Sequence, residues 1–155
     1  MTQSLYDQMI NSKTGFGQMM LRDVLLPSIL GAETDGILYW AGKDIARQFP
    51  VASDENLSTL FNQLDLGTLE LIKKNNKQQV WHLTGDEIMD RSKLEHASFN
   101  FEAGLIAQQV EFMTNAVTEA SIEVEKKKMV QITVYHDFSN PITDETPVNF
   151  ITLAE

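Results

Sequence analysis

The chain contains no cysteine. Disulfides are therefore excluded, and so are thiolate-ligated zinc and iron–sulfur centres, which need soft sulfur ligands. A reducing compartment fits this absence, and the cytoplasm is the expected location. Basic residues are also few: 12 lysines and arginines stand against 22 acidic residues, for a formal net charge of -10. A field of that sign repels phosphate backbones and anionic membrane surfaces. The only dense basic run, Lys126-Lys127-Lys128, is too short to form a stripe, so neither nucleic acid nor membrane is an expected partner. Long apolar runs are missing too. The richest stretch, 19–30, is broken by Arg22, Asp23 and Pro27 and is too short to span a bilayer. Residues 1–17 are polar and carry no secretory pattern.

Signatures of catalysis and cofactor binding are equally sparse. There is no Gly-x-Ser-x-Gly elbow, no Gly-x-x-x-x-Gly-Lys phosphate loop and no Gly-x-Gly-x-x-Gly fingerprint. The three histidines, His82, His96 and His136, lie too far apart in sequence to suggest a local metal site. Asp86, Glu87 and Asp90 cluster, but without the regular ligand spacing and turn glycine of a calcium loop, so a solvated acidic loop is expected. No metal and no cofactor are anticipated.

What is present reads as one folded domain. The 155 residues are 43% hydrophobic and 22% charged, enough to bury a substantial core. Residues 1–15 read as a flexible leader. A helical pattern follows through Met20, Leu21, Val24, Leu25 and Ile29, with Pro27 set to bend it or shorten its regular part and Gly31 to end it. A second helix runs from Thr34 or Asp35 to Phe49, before Pro50, and a third follows the N-cap Ser53 through Leu57, Leu60, Phe61 and Leu64. The period changes after Gly67, where a hairpin is expected to turn at Asn75-Asn76 in left-handed geometry. Residues 85–97 read as a loop with a short helical turn. A long helix begins near Ser98, its stripe running through Phe99, Ala103, Ile106, Val110, Met113 and Val117. Two alternating strands, 119–125 and 130–135, flank the lysine turn as a second hairpin, and an irregular tail covers 137–155. The expected class is α+β, with helices packed on one face of an antiparallel sheet and a single domain over 16–136.

Several runs carry a resemblance: Leu21-Arg22-Asp23-Val24-Leu25-Leu26-Pro27, Ile37-Leu38-Tyr39-Trp40-Ala41-Gly42-Lys43, Ala46-Arg47 leading to Phe49-Pro50, Gly67-Thr68-Leu69, and Ser98-Phe99-Asn100-Phe101-Glu102-Ala103-Gly104. Together they resemble the bacterial YslB-like family, whose biochemical role is undetermined, over 16–136. The resemblance implies a fold similar to 4-vinyl-reductase-like domains, haem nitric-oxide-binding domains and subunits of the TRAPP tethering complex. Some of those proteins hold an apolar or tetrapyrrole ligand; others only assemble with partners. The haem-binding members place a Tyr-x-Ser-x-Arg arrangement after the ligating histidine, and no histidine of this chain has that sequel.

Trp40 and Phe99, with Phe101 and Ile106, are the candidates for lining a pocket, or else they fill the core. Gly42 and Gly104 stand inside helices, where glycine costs about 1 kcal/mol against alanine and so points to close backbone approach. Glu102 sits in a first helical turn, and a buried pairing with Arg22, Lys43 or Arg47 is a further expectation. The leading expectation is a non-enzymatic, homodimerising interaction domain using the long helix or the Trp40 helix. A small apolar-ligand binder and an enzyme with a dispersed site stay open as alternatives.

Overall fold

The computed structural model describes residues 2–143 and 146–155. Helix α1 spans Thr2–Ile10. A second helical stretch starts as α2, Phe16–Met19, widens into a π-helical segment, Met20–Leu25, and ends as α3, Leu26–Leu30. After a 3-10 turn, Gly31–Glu33, come α4, Thr34–Gln48, and α5, Asp54–Gln63. Hairpin β1, Thr68–Lys74, and β2, Gln78–Thr84, is followed by α6, Asp86–Arg91, and the long α7, Asn100–Thr114. Hairpin β3, Ala116–Glu125, and β4, Met129–Pro141, completes the chain's regular structure. The two hairpins join through β2 and β4 into one antiparallel sheet of order β1-β2-β4-β3.

Alternation along the strands sends Trp81, Leu83, Val130, Ile132 and Val134 to one face of this sheet. There they meet Ala103, Leu105, Ile106 and Val110 of α7, while Leu57, Leu60 and Phe61 of α5 complete the same core. The fold is α+β, with helices on one side of an antiparallel sheet. Helix α7 is buried without interruption from Glu102 to Val110. Two buried glutamines satisfy polar groups inside the core, one of them the backbone on either side of Pro50. Gln109 donates to the Phe49 carbonyl at 2.9 Å and accepts from the Val51 N–H at 3.0 Å. Gln79 accepts from the Trp81 indole at 3.0 Å.

Helices α4 and α7 cross at their glycines, so the close approach expected of Gly42 and Gly104 lies within the domain. A β-carbon at Gly42 would overlap the Phe101 carbonyl and stand 2.7 Å from the Leu105 nitrogen.

Several expectations differ from the structure. Residues read as a leader form α1, whose Met9 is buried with Met19 and Leu94, because its apolar positions find a small second cluster. The regular helix expected through Pro27 is shortened: the chain is π-helical over Met20–Leu25, and Pro27, at the start of α3, has no N–H to donate. Asn75 does not adopt left-handed geometry. Its side-chain oxygen accepts from the Lys77 and Gln78 N–H groups and forms the turn that way. Val117 belongs to β3 rather than to the long helix, which ends at Asn115 in left-handed conformation. Strand β4 runs to Pro141, beyond the expected 135. Within the expected tail, Ile151 and Leu153 pack on the core and the Ile151 N–H donates to the Pro50 carbonyl at 2.9 Å. Residues 1, 144 and 145 of the expected leader and tail lie outside the described residues.

Candidate functional site

Three features meet around the N-terminal helices: a buried charge network, a cleft beside it, and a groove along the sheet edge.

The network begins in the π segment, whose wider turn directs Asp23 inward. The Arg91 guanidinium, at the end of α6, grips Asp23 through its Nε at 2.9 Å and an Nη at 2.8 Å. Its other Nη donates to Glu102 at 3.0 Å, and the first also reaches the Ser98 carbonyl at 2.8 Å. Arg22 donates to the second Glu102 oxygen and to the Ser98 carbonyl at 3.2 Å. Two cations thus face two anions with Asp23 and Glu102 fully enclosed. Burial opposes the charge on Glu102, but Arg22 and Arg91 outweigh it and hold its carboxyl below the ordinary value. Burial likewise works against Arg91, and Glu102 with Asp23 overcomes it and raises the guanidinium's pKa.

The structure therefore brings Glu102 to Arg22, but not to Lys43 or Arg47. Lys43 is buried and donates to Glu119 at 2.8 Å; Arg47 makes an exposed pair with Asp44 on its own helix at 2.7 Å. The four candidate pocket residues lie in different surroundings. Phe99 is buried under the Arg91 guanidinium, 4.6 Å from ring centre to carbon, and Phe101 lies under Arg22 at 5.0 Å. Both rings cover the network's cations. Ile106 is in the main core, whereas Trp40 is 60% exposed, because the face of α4 that buries Leu38 and Gly42 is not the face that carries Trp40.

Sequence reasoning missed Asp23 and Arg91. Asp23 carried a signal, an acid inside an otherwise apolar helical run. Arg91 carried none, since it ends a stretch without periodicity. The acidic residues around it are not simply solvated either. Asp90 accepts from the Lys13 and Thr14 N–H groups at 3.0 and 3.2 Å and fastens the α1–α2 connection to α6.

Beside the network lies a cleft of about 800 Å³ between α1, α3 and the 93–97 segment, walled by Leu5, Val24, Pro27, Leu94 and Ala97. Asp35, Lys93, Glu95 and His96 line it as well, and among the described residues no hydrogen bond joins any two of those four. Among the described residues there is also no group of acids and histidines spaced to hold a metal ion.

The third feature lies where α4 runs beside β3. Tyr39 accepts from the Ala120 N–H at 3.0 Å and donates to Glu119. Burial and the Glu119 carboxylate both push its phenol above the ordinary value of 10.0.

A family model described as a protein of unknown function, DUF2507, matches residues 15–135. This chain belongs to the DUF2507 family. It is 33% identical over 125 residues to the uncharacterised protein YslB of Bacillus subtilis (strain 168), covering 79% of this chain and 84% of that relative. The span matched by the DUF2507 model contains the whole charge network, the α4–α7 glycine crossing and all of β3. No helix among the described residues is long and apolar enough to cross a membrane.

Proposed function

We propose that this DUF2507 chain is a non-enzymatic protein-interaction domain that forms a homodimer through the exposed side of its N-terminal helices. The observation that carries the reading is the row Leu21, Leu25 and Ile29, spaced every four residues along the π segment and α3 and exposed by 53%, 41% and 68%. Ile37 at the start of α4 adds to the exposed apolar surface. Each such side chain gains by leaving water, at about 25 cal/mol per Å² of apolar area, and exposed apolar patches mark interaction sites. The long helix is a poor interface because its residues are already in the core. Absence of cysteine and the acidic net charge support a cytoplasmic protein that meets protein rather than nucleic acid or membrane.

A second reading, a binder of a small apolar ligand, is favoured by the cleft. Its volume of about 800 Å³ lies within the roughly 300–1,000 Å³ of ligand pockets. Native mass spectrometry of protein purified from its own host tests both readings together. The dimer mass is expected, and Leu25→Asp is expected to give a monomer with an unchanged circular dichroism spectrum. A bound small mass on either species supports the second reading. A clean monomer at every concentration would remove both.

A further inference from the structure

Strand β3 is an outer strand of the sheet, and α4 covers only part of its free edge. Near its start the outward amides are satisfied by side chains: Thr118 N–H donates to Glu111 at 3.2 Å and Ala120 N–H to the Tyr39 hydroxyl at 3.0 Å. Outward amides recur at every second residue of an antiparallel strand, which makes Ile122 the next one, directly before the register shift between Ile122 and Val124. Among the described residues no side chain takes the place there that Glu111 and Tyr39 take before it.

At this point the edge opens into a groove between β3 and Trp40. Trp40 is 60% exposed, an unusual cost for so large an apolar ring. Asp35, Glu123 and Glu125 line the groove, and no lysine or arginine does among the described residues. Glu123 is held below its ordinary pKa by hydrogen bonds from Ser121 and Tyr135, so it stays charged.

We propose that this edge receives an extended segment of a partner protein that bears lysine or arginine, added to the four-stranded sheet beyond β3. Main-chain pairing with the open edge supplies affinity, Trp40 covers the apolar side chains of the segment, and the acidic rim selects for basic ones. A second copy of this chain is the wrong occupant. Antiparallel pairing of two β3 strands would bring Glu119, Glu123 and Glu125 of one copy alongside the same acidic residues of the other, and like charges facing one another across a ladder are destabilising. The inference concerns a different surface from the Leu21, Leu25 and Ile29 row and does not depend on it.

The test uses the full chain and a short labelled peptide alternating lysine and valine, followed by fluorescence anisotropy. Saturable binding is expected, weakening as salt is added. A peptide with glutamate for lysine, and the lysine peptide N-methylated at alternate amides, are expected not to bind. Trp40→Ala is expected to weaken binding on the order of tenfold, as removal of a central interface aromatic does, and Glu123→Lys to weaken it as well. Leu25→Asp is expected to leave peptide binding unchanged, which separates this inference from the homodimer reading. Equal binding of the N-methylated peptide would overturn the proposal, since it would show charge attraction without strand pairing. So would failure of the unmodified lysine peptide to bind, or a dimer abolished by Trp40→Ala, which would make a second copy the occupant.

Discussion

Gly104 rests directly against Tyr39: a β-carbon added to the glycine would overlap the Tyr39 carbonyl oxygen and stand 2.8 Å from its carbon. The obstacle is helix backbone, which cannot swing aside as a side chain can. Gly104→Ala is therefore expected to force α4 and α7 apart and destabilise the domain by several times the roughly 1 kcal/mol that alanine gains over glycine in a helix. Gly36→Ala is the control, because its added methyl meets nothing within 4 Å. That variant should be neutral or slightly more stable. Urea denaturation of the two proteins checks the contrast.

The charge network makes a second prediction. Removing one partner leaves the others buried and unpaired, so Arg91→Met should cost about 3–5 kcal/mol. Replacing Arg22, Arg91, Asp23 and Glu102 together by apolar residues should cost much less than the sum of the single changes. Thermal melting of the single and combined variants measures this non-additivity, and simple addition would sink the claim that these groups act as a unit.

Glu102 also makes stability depend on pH, with a definite sign. Its folded carboxyl titrates below the ordinary value of 4.5. The contribution is fully present above that value and is lost as pH falls through the lower, folded one, because the unfolded chain takes up the proton first. Acid titration monitored by circular dichroism should show the wild type losing stability below about pH 4.5, more steeply than Glu102→Gln.

His136 should titrate anomalously. Burial, with some help from Lys74, lowers its pKa from 6.5. Its ring stacks on Phe138 at 5.4 Å, and among the described residues neither ring nitrogen has a hydrogen-bond partner. Proton NMR of the ring resonances should place its midpoint below 6.5, and a midpoint at or above that value would contradict the packing described.

Tyr39→Phe addresses the sheet edge. The hydroxyl satisfies the Ala120 N–H and reaches Glu119, so its loss should cost on the order of 1 kcal/mol. Amide exchange at Ala120 should quicken while Trp81, deep in the core, stays protected. In the wild type the phenol should ionise only above its ordinary 10.0, which ultraviolet titration reads as the difference between wild type and Tyr39→Phe.

Local patterns made much of the fold legible. The i, i+3, i+4 spacing of Leu57, Leu60 and Phe61 behind Ser53 predicts α5, and the Ser53 hydroxyl does accept the Asn56 N–H, at 3.1 Å. Alternation in 130–134 marks the strand at the centre of the sheet. The cost of glycine in a helix pointed to close approach at Gly42 and Gly104. Where the reading failed, the local signal was ambiguous. Trp40 stands in a helix with apolar residues on more than one side, and residue type alone does not say which side is buried.

The sequence by itself determined the α+β class, the alternation of helices and hairpins from residue 16 on, and the exclusion of thiolate chemistry, because periodicity, capping and composition are properties of neighbouring residues. Only the tertiary structure decided that Glu102 meets Arg91 and Arg22, that Phe99 and Phe101 cover those cations, and that Trp40 faces outward beside an open strand edge. Those relations join residues up to 80 positions apart. They depend on how a π-helical turn, a glycine crossing and an edge strand are placed in space, which no local pattern encodes.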